Sequence, residues 1–168
     1  LSDVDIEFNK DILVNYSEHH GYFNAKATSD TISKNKKTEI YYNLKPKARY
    51  YISQINFPSD TSSIINQEIA KTKDKTLLKP NQPFDLDVIK SERERIDNRL
   101  KEKGFYYFHP DNIIVQADST INKNHHVELF VKLKNNTPQE AKEQFTIENV
   151  IVYPNFNIRN SKKESIQI

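Results

Sequence analysis

Two stretches of this chain carry the same pattern, and that internal repeat limits the folds open to it more than any other feature. Gly21-Tyr22-Phe23 and Gly104-Phe105-Tyr106 each follow a helix-like stretch and precede alternating segments. In the later copy Asp85 is suited to cap a helix whose apolar positions Leu86, Ile89, Ile96 and Leu100 share one 3.6-residue face. Gly104 stands just past its end, where a left-handed residue is wanted. Ile6 and Leu13 precede Gly21 at the same distances as Ile89 and Ile96 precede Gly104, so the two helices align without a gap.

Strands follow in both copies. In the first, Phe23, Ala25 and Ala27 alternate with polar residues over 23–28; in the second, Ile113, Ile114, Val115 and Ala117 supply a more apolar strand. Polar turns are expected at 33–37 and 122–124. The returning strands match as Ile40, Tyr42, Leu44 against Leu129, Val131, Leu133. The later copy is longer by the turn-forming insertion His109-Pro110-Asp111-Asn112. A further strand comes next in each, with Tyr50-x-Ile52-x-x-Ile55-x-Phe57 matching Phe145-x-Ile147-x-x-Val150-x-Val152.

Between the copies the sequence predicts a short helix over 61–71 with Ile64, Ile65 and Ile69 inward. A loop over 77–83 then drops Leu77 and Leu78 into the core. The pattern therefore divides into three parts. Residues 1–48 are the helix-strand-strand end of a first unit, and 49–135 are a complete strand-helix-helix-strand-strand unit. Residues 136–168 are a linker and the opening strand of a third unit, with a polar tail from Pro154.

Apolar residues make up only 36% of the 168 positions. That is lean beside about 45–50% in an ordinary domain, and it suits a core divided among small units. The net charge is +2 with basic and acidic residues interspersed, so no stripe suited to a phosphate backbone emerges and no nucleic-acid partner is expected. No cysteine is available for a disulfide or a thiolate zinc site. No apolar run approaches the roughly 20 residues that span a bilayer. The chain opens at Leu1 without a signal-peptide pattern and contains no Met, as expected of a region cut from something larger.

Four of the five histidines form the pairs His19-His20 and His125-His126; adjacent side chains diverge, so exposed histidines and no metal site are expected. Glu92-Arg93-Glu94-Arg95, with Asp97 and Arg99, reads as a solvated helix face. Arg93 is the exception: the helical period sets it between Ile89 and Ile96, from where it snorkels or reaches a neighbouring unit. Two glycines in the whole chain leave no phosphate-cradling loop. No nucleophile has a His and an acid at interpretable spacing, so neither an enzyme nor a cofactor is expected.

A β-α-α-β-β unit in tandem is the POTRA pattern. Leu77-Leu78-Lys79, Phe84-Asp85-Leu86, Ser91-Glu92-Arg93-Glu94-Arg95-Ile96, Gly104-Phe105-Tyr106-Tyr107-Phe108 and Ala117-Asp118-Ser119-Thr120 resemble the soluble region of BamA/TamA-family proteins, nearest to the Bacteroidetes type. Two departures stand out, since Lys47 and Asn81 occupy places where the family often has Gly.

The resemblance implies an α+β fold of tandem modules, each a three-stranded mixed sheet covered on one face by two helices. It implies a periplasmic arm attached to the outer membrane through a C-terminal barrel that this sequence does not include. The implied partners are unfolded outer-membrane proteins, accessory subunits of an assembly machine, and that barrel. Binding is then expected by strand addition at sheet edges, over Phe23, Ala25 and Ala27 and over Ile113, Ile114, Val115 and Ala117, with Arg93 as a contact to another unit. Two alternatives remain open: a POTRA-like module of a two-partner secretion transporter, and a carbohydrate- or partner-binding domain using exposed tyrosines.

Overall fold

In a computed structural model, which describes residues 4–60, 62–120 and 124–152 and the backbone of Ile166–Gln167, the two long helices begin and end on matching signals. The Asp5 side chain accepts from the Phe8 N–H (2.9 Å) and starts α1 (Ile6–His19). After β1 (Lys26–Lys34), β2 (Lys37–Lys45), β3 (Tyr51–Asn56) and α2 (Ile64–Lys71), Asp85 accepts from the Asp87 N–H (2.9 Å) and starts α3 (Leu86–Lys101). At the far ends the Tyr22 N–H donates to Ser17 O (2.9 Å) and the Phe105 N–H to Leu100 O (3.1 Å). Gly21 and Gly104 sit between at φ +88° and +90°, the left-handed stop that needs glycine.

Each stop leads into a second turn, in which Ala25 N–H donates to Tyr22 O (3.0 Å) and Phe108 N–H to Phe105 O (3.1 Å). That turn consumes residues 22–25, so β1 begins at Lys26; Phe23 and Ala25, expected within the strand, lie before it. β1 and β2 are joined by Asn35 and Lys36, both left-handed (φ 52° and 62°), as a type I′ hairpin requires. In the second copy a 3₁₀ turn, Pro110–Asn112, precedes β4 (Ile113–Asp118) and β5 (His126–Leu133).

β5 is the middle of a three-stranded sheet, parallel to β3 and antiparallel to β4. Its alternation buries Val127, Leu129 and Val131 on one face. Two apolar clusters lie there. Ile65 and Ile69 of α2 meet Ile96, Leu100, Phe105, Phe108, Ile113 and Val131 in one. Ile52, Leu78, Phe84, Ile89, Val127 and Leu129 form the other. The fold class expected from the repeat, α+β with a three-stranded mixed sheet and a helix pair, is the one observed.

Three details differ from expectation. α2 starts at Ile64, which is exposed, because the burying pair is Ile65 and Ile69 at i, i+4; Thr61 lies outside the described residues. Leu78 enters the core but Leu77 does not. Residues 145–150 form no strand, having no central strand to lie against among the described residues. Only β6 (Ile151–Val152) is extended, pairing antiparallel with β7 (Ile166–Gln167). The tail from Pro154 and most of the 122–124 turn lie outside the described residues. No described helix is long and apolar enough to cross a membrane.

Candidate partner-binding edge

A three-stranded sheet has two outer edges, and here they are not equivalent. At its start the β3 edge is occupied, over residues 50–52: Ile52 N–H donates to Gln82 O (2.8 Å), Asn81 N–H to Ile52 O (2.7 Å) and Phe84 N–H to Tyr50 O (2.9 Å). Residues 81–84 thus lie along β3, with Tyr51 and Pro83 facing one another. Asn81 bends this segment in with φ 64°, and Lys47 turns at φ 58° before β3. Both departures from glycine therefore keep the left-handed geometry at a cost of roughly 1–2 kcal/mol for a residue with a Cβ, less for Asn.

β4 is the other edge. Lys134 N–H donates to Asn112 O (2.8 Å), which makes Ile113 and Leu133 a non-hydrogen-bonded pair. Ile114, Gln116 and Asp118 then exchange bonds with β5, while the backbone groups of Ile113, Val115 and Ala117 point outward. Ile113 N–H is taken by Pro110 O, so the outward N–H groups belong to Val115 and Ala117. Ile113 is buried, Val115 is half-buried, and Ile114 and Ala117 are exposed. On the helix-free face, Lys132 Nζ donates to Gln116 Oε1 (2.8 Å) and lies over the Phe130 ring.

The first copy presents an edge of different character. Its two-residue hairpin places Lys34 and Lys37 as a bonded pair, so alternation leaves Ala27, Ser29, Thr31 and Ser33 bonding outward along β1. Of the residues expected to bind there, Ala27 is on the strand. Ala25 is buried in the preceding turn, and Phe23 packs against Tyr50 (5.0 Å) and Phe84 (4.9 Å). The Phe23 side chain thereby packs the first copy against the next unit.

Arg93 stays within its own unit. Its Nε donates to Pro110 O (3.0 Å) and its guanidinium meets Asp111 (2.6 Å), pinning the turn that leads into β4. Its role in these contacts is to position the edge.

Two residues of the charged run expected on a solvated helix face, Glu92 and Asp97, are buried. Glu92 is buried, not solvated. Its carboxylate accepts from Thr76 Oγ1 (2.7 Å), Leu77 N–H (3.0 Å) and both Nε and Nη2 of Arg95 (2.8 Å each). It thereby ties the loop after α2 to α3. The signal was present, since Glu92 falls on the Ile89–Ile96 side of the helix.

Of the histidines, His125 is exposed and His109 accepts from the Asp111 N–H, closing the 3₁₀ turn. His20, expected to be free in solvent, instead meets Asp85 through Nδ1 (3.1 Å). Burial pushes the Asp85 carboxyl up, but hydrogen bonds from His20 and from the Asp87 and Val88 N–H groups outweigh it and hold the group below the ordinary range. Among the described residues no three His, Asp or Glu side chains gather as metal ligands would.

The POTRA family profile, described as "Surface antigen variable number repeat", matches residues 50–136, more than half of the chain. No curated protein sequence matches. Among solved structures, BamA from Haemophilus ducreyi lacking POTRA domains 1–3 is similar at 14% identity and TM-score 0.49, covering 78% of this chain and 23% of that one. Haemophilus influenzae BamA POTRA domains 3–5 are similar at 17% identity and TM-score 0.44, covering 77% of this chain and 47% of that one. The chain thus spans less than half the length of either.

Proposed function

This chain belongs to the POTRA family, and from that premise we propose that it is a non-catalytic scaffold in outer-membrane protein assembly, of the BamA/TamA kind, which holds unfolded barrel strands by strand addition along β4. In this reading it works in the periplasm, beside an outer-membrane barrel that continues the same parent protein. Accessory subunits of the assembly machine are further partners.

The observation that carries the reading is the inequality of the two edges. β3 is covered by residues 81–84 over residues 50–52, whereas Val115 and Ala117 on β4 turn their N–H groups outward from the sheet. An extended guest that pairs with them is held by backbone bonds, largely regardless of its sequence, as a handler of many clients requires. Edges of this kind are usually blunted by charge, proline or a bulge, and the outward-bonding residues of β4 are apolar. β1, whose outward-bonding residues are mostly Ser and Thr, is the weaker of the two candidate edges.

The test is Ala117→Pro. Its N–H makes no ladder bond, so the sheet is kept while the outward donor is removed. The probe is a synthetic peptide of about ten residues with the alternating pattern of a barrel strand. The variant is expected to keep its circular dichroism and melting temperature and to lose most peptide binding. Undiminished binding by a folded variant would refute strand addition at β4.

A further inference from the structure

The two hairpins of the chain end in different chemistry. β1 and β2 turn through Asn35 and Lys36, and residues 30–37 are all exposed. Lys34, Lys36 and Lys37 stand together at that tip, and among the described residues none of them forms an ion pair. Tyr42 turns toward α1, where its hydroxyl meets Asn9, so Tyr41 and Ile32 lie on the other face of the hairpin. There Ile32 is 58% exposed and Tyr41 is 51% exposed. Ile32 pairs across the hairpin with Glu39, which makes Lys37 and Tyr41 its diagonal neighbours. In the second copy Asp118, paired with Glu128, takes the place of Ile32, and His126 takes that of Lys37.

The exposure of this tip is not a matter of missing neighbours. In the second copy the opening strand β3 and a preceding unit are both in place, and Ser119, Thr120, Asn124 and His125 of its tip are exposed all the same. Protection of a strand edge does not account for the composition either. Lysines are a usual defence against edge pairing, but an exposed isoleucine beside them works against that end. Removal of its side chain from water is favourable only into an apolar surrounding.

We propose that the β1–β2 tip docks on an anionic lipid surface. Ile32 enters the boundary between headgroups and acyl chains, and Tyr41 settles at headgroup level, as interfacial tyrosines do. Lys34, Lys36 and Lys37 hold their ammonium groups at the phosphates, each strengthening binding about fivefold. Asp30 and Glu39 share the face behind them, and Tyr41 Oη donates to Glu39 (2.7 Å). These carboxylates repel a negative surface, so the hairpin approaches it end-on. The contact uses neither β4 nor the junction between the copies, and it stands or falls apart from strand addition.

The chain has no tryptophan, so the tip can carry a single reporter. Vesicles of phosphatidylcholine alone and of phosphatidylcholine mixed with phosphatidylglycerol are the probes, and the full chain should sediment with the mixed vesicles only, less so as salt is raised. Replacing Lys34, Lys36 and Lys37 together by Gln should lower the binding constant about a hundredfold. Ile32→Ser should lower it about tenfold. The reference replaces Lys71, Lys73 and Lys75 by Gln, which removes the same charge elsewhere and should cost less than about fivefold. All of these residues are exposed, so circular dichroism should not change. Ile32→Trp should bind as the parent does, with its emission shifted to the blue on mixed vesicles. Failure to bind mixed vesicles, equal losses from the two lysine triples, or an unshifted emission overturns the proposal. Tight binding to soluble polyglutamate that Ile32→Ser leaves unchanged assigns the tip to an acidic protein and overturns it as well.

Discussion

The α1–β1–β2 and α3–β4–β5 copies start from the same signals, yet they are packed to different depths. Both helices have an aspartate cap and a glycine stop, and both feed a four-residue turn and a hairpin. In the second copy Ile96, Leu100, Phe105 and Val131 are at most 1% exposed. Their counterparts Leu13, Tyr22 and Tyr42 are only half-buried, although Ser17, opposite Leu100, is buried. β5 has a neighbour on each side and α2 over it, whereas among the described residues β2 pairs with β1 alone. The lesson is that caps, stops and turns set the local path of the chain, while burial comes from the strand and helix that arrive beside it. α1 shows the same thing from outside: it exposes Phe8, Ile12 and Tyr16 where α3 carries Ser91, Arg95 and Arg99.

The sharpest way to break this comparison is to truncate the same position in both copies. Phe105→Ala empties a closed site and is expected to cost about 3–5 kcal/mol, whereas Tyr22→Ala, beside open solvent, should cost less than half of that. Urea unfolding followed by amide hydrogen exchange separates the two, with Phe105→Ala lowering protection across α2, α3 and β5. Equal losses would mean that the first copy is as tightly packed as the second.

A smaller difference is expected at Glu92 and its counterpart Asn9. Glu92→Ala takes the acceptor from the Leu77 N–H and the Thr76 hydroxyl and leaves Arg95 its bond to Thr72 O (3.0 Å). Removing one partner of a buried pair costs about 3–5 kcal/mol, and Arg95 is partly solvated, so about 3 kcal/mol is expected. The Asn9 side chain donates to Tyr42 Oη (3.0 Å) at a half-open position, and Asn9→Ala should cost under about 1 kcal/mol. Chemical denaturation of the two variants side by side measures both.

How far the sequence could be read follows the same division. Periodicity and end signals located α3, β4 and β5, because Leu86, Ile89, Ile96 and Leu100 share a face and Gly104 closes it. The turn at 22–25 was missed because alternation over 23–28 imitates a strand, and only the Ala25–Tyr22 bond reveals otherwise. Glu92 was hidden inside a run of charges. Its helical position pointed inward, but the Thr76 and Leu77 groups that satisfy it come from a loop no local pattern connects to α3. The β4 edge was legible as a strand, whereas its being the more open edge depends on residues 81–84 covering β3 over residues 50–52, a tertiary fact. Lys47 and Asn81 stand where glycine was expected, and both take up glycine's left-handed backbone without its freedom.

The smallest expected effect concerns a side-chain contact at the junction between the copies, Asp85 with His20, which stands beside the Tyr50 N–H bond to Gly21 O and the Arg49 Nε bond to His20 O. Asp85 both caps α3 and accepts from the end of α1, and burial alone would raise its carboxyl. The bonds from His20 and the α3 backbone reverse that and hold it below the ordinary value of 3.8. A carboxyl lowered by folding contributes stability that is fully present above its unfolded value and is lost as the pH falls through the lowered one. The protein should therefore keep this contribution from neutral pH down to about 4 and shed it in more acid solution. Asp85→Asn preserves a good helix cap, so α3 should remain, while the acid-side loss becomes shallower. Amide exchange at Gly21 and Tyr50, read as the pH is lowered, should show the junction loosening before the β3–β5–β4 sheet does. If Asp85→Asn leaves that acid profile unchanged, the junction is held by the packing of Phe23, Tyr50 and Phe84 and by the bonds to Gly21 O and His20 O, and the His20–Asp85 contact contributes nothing to holding the copies in register.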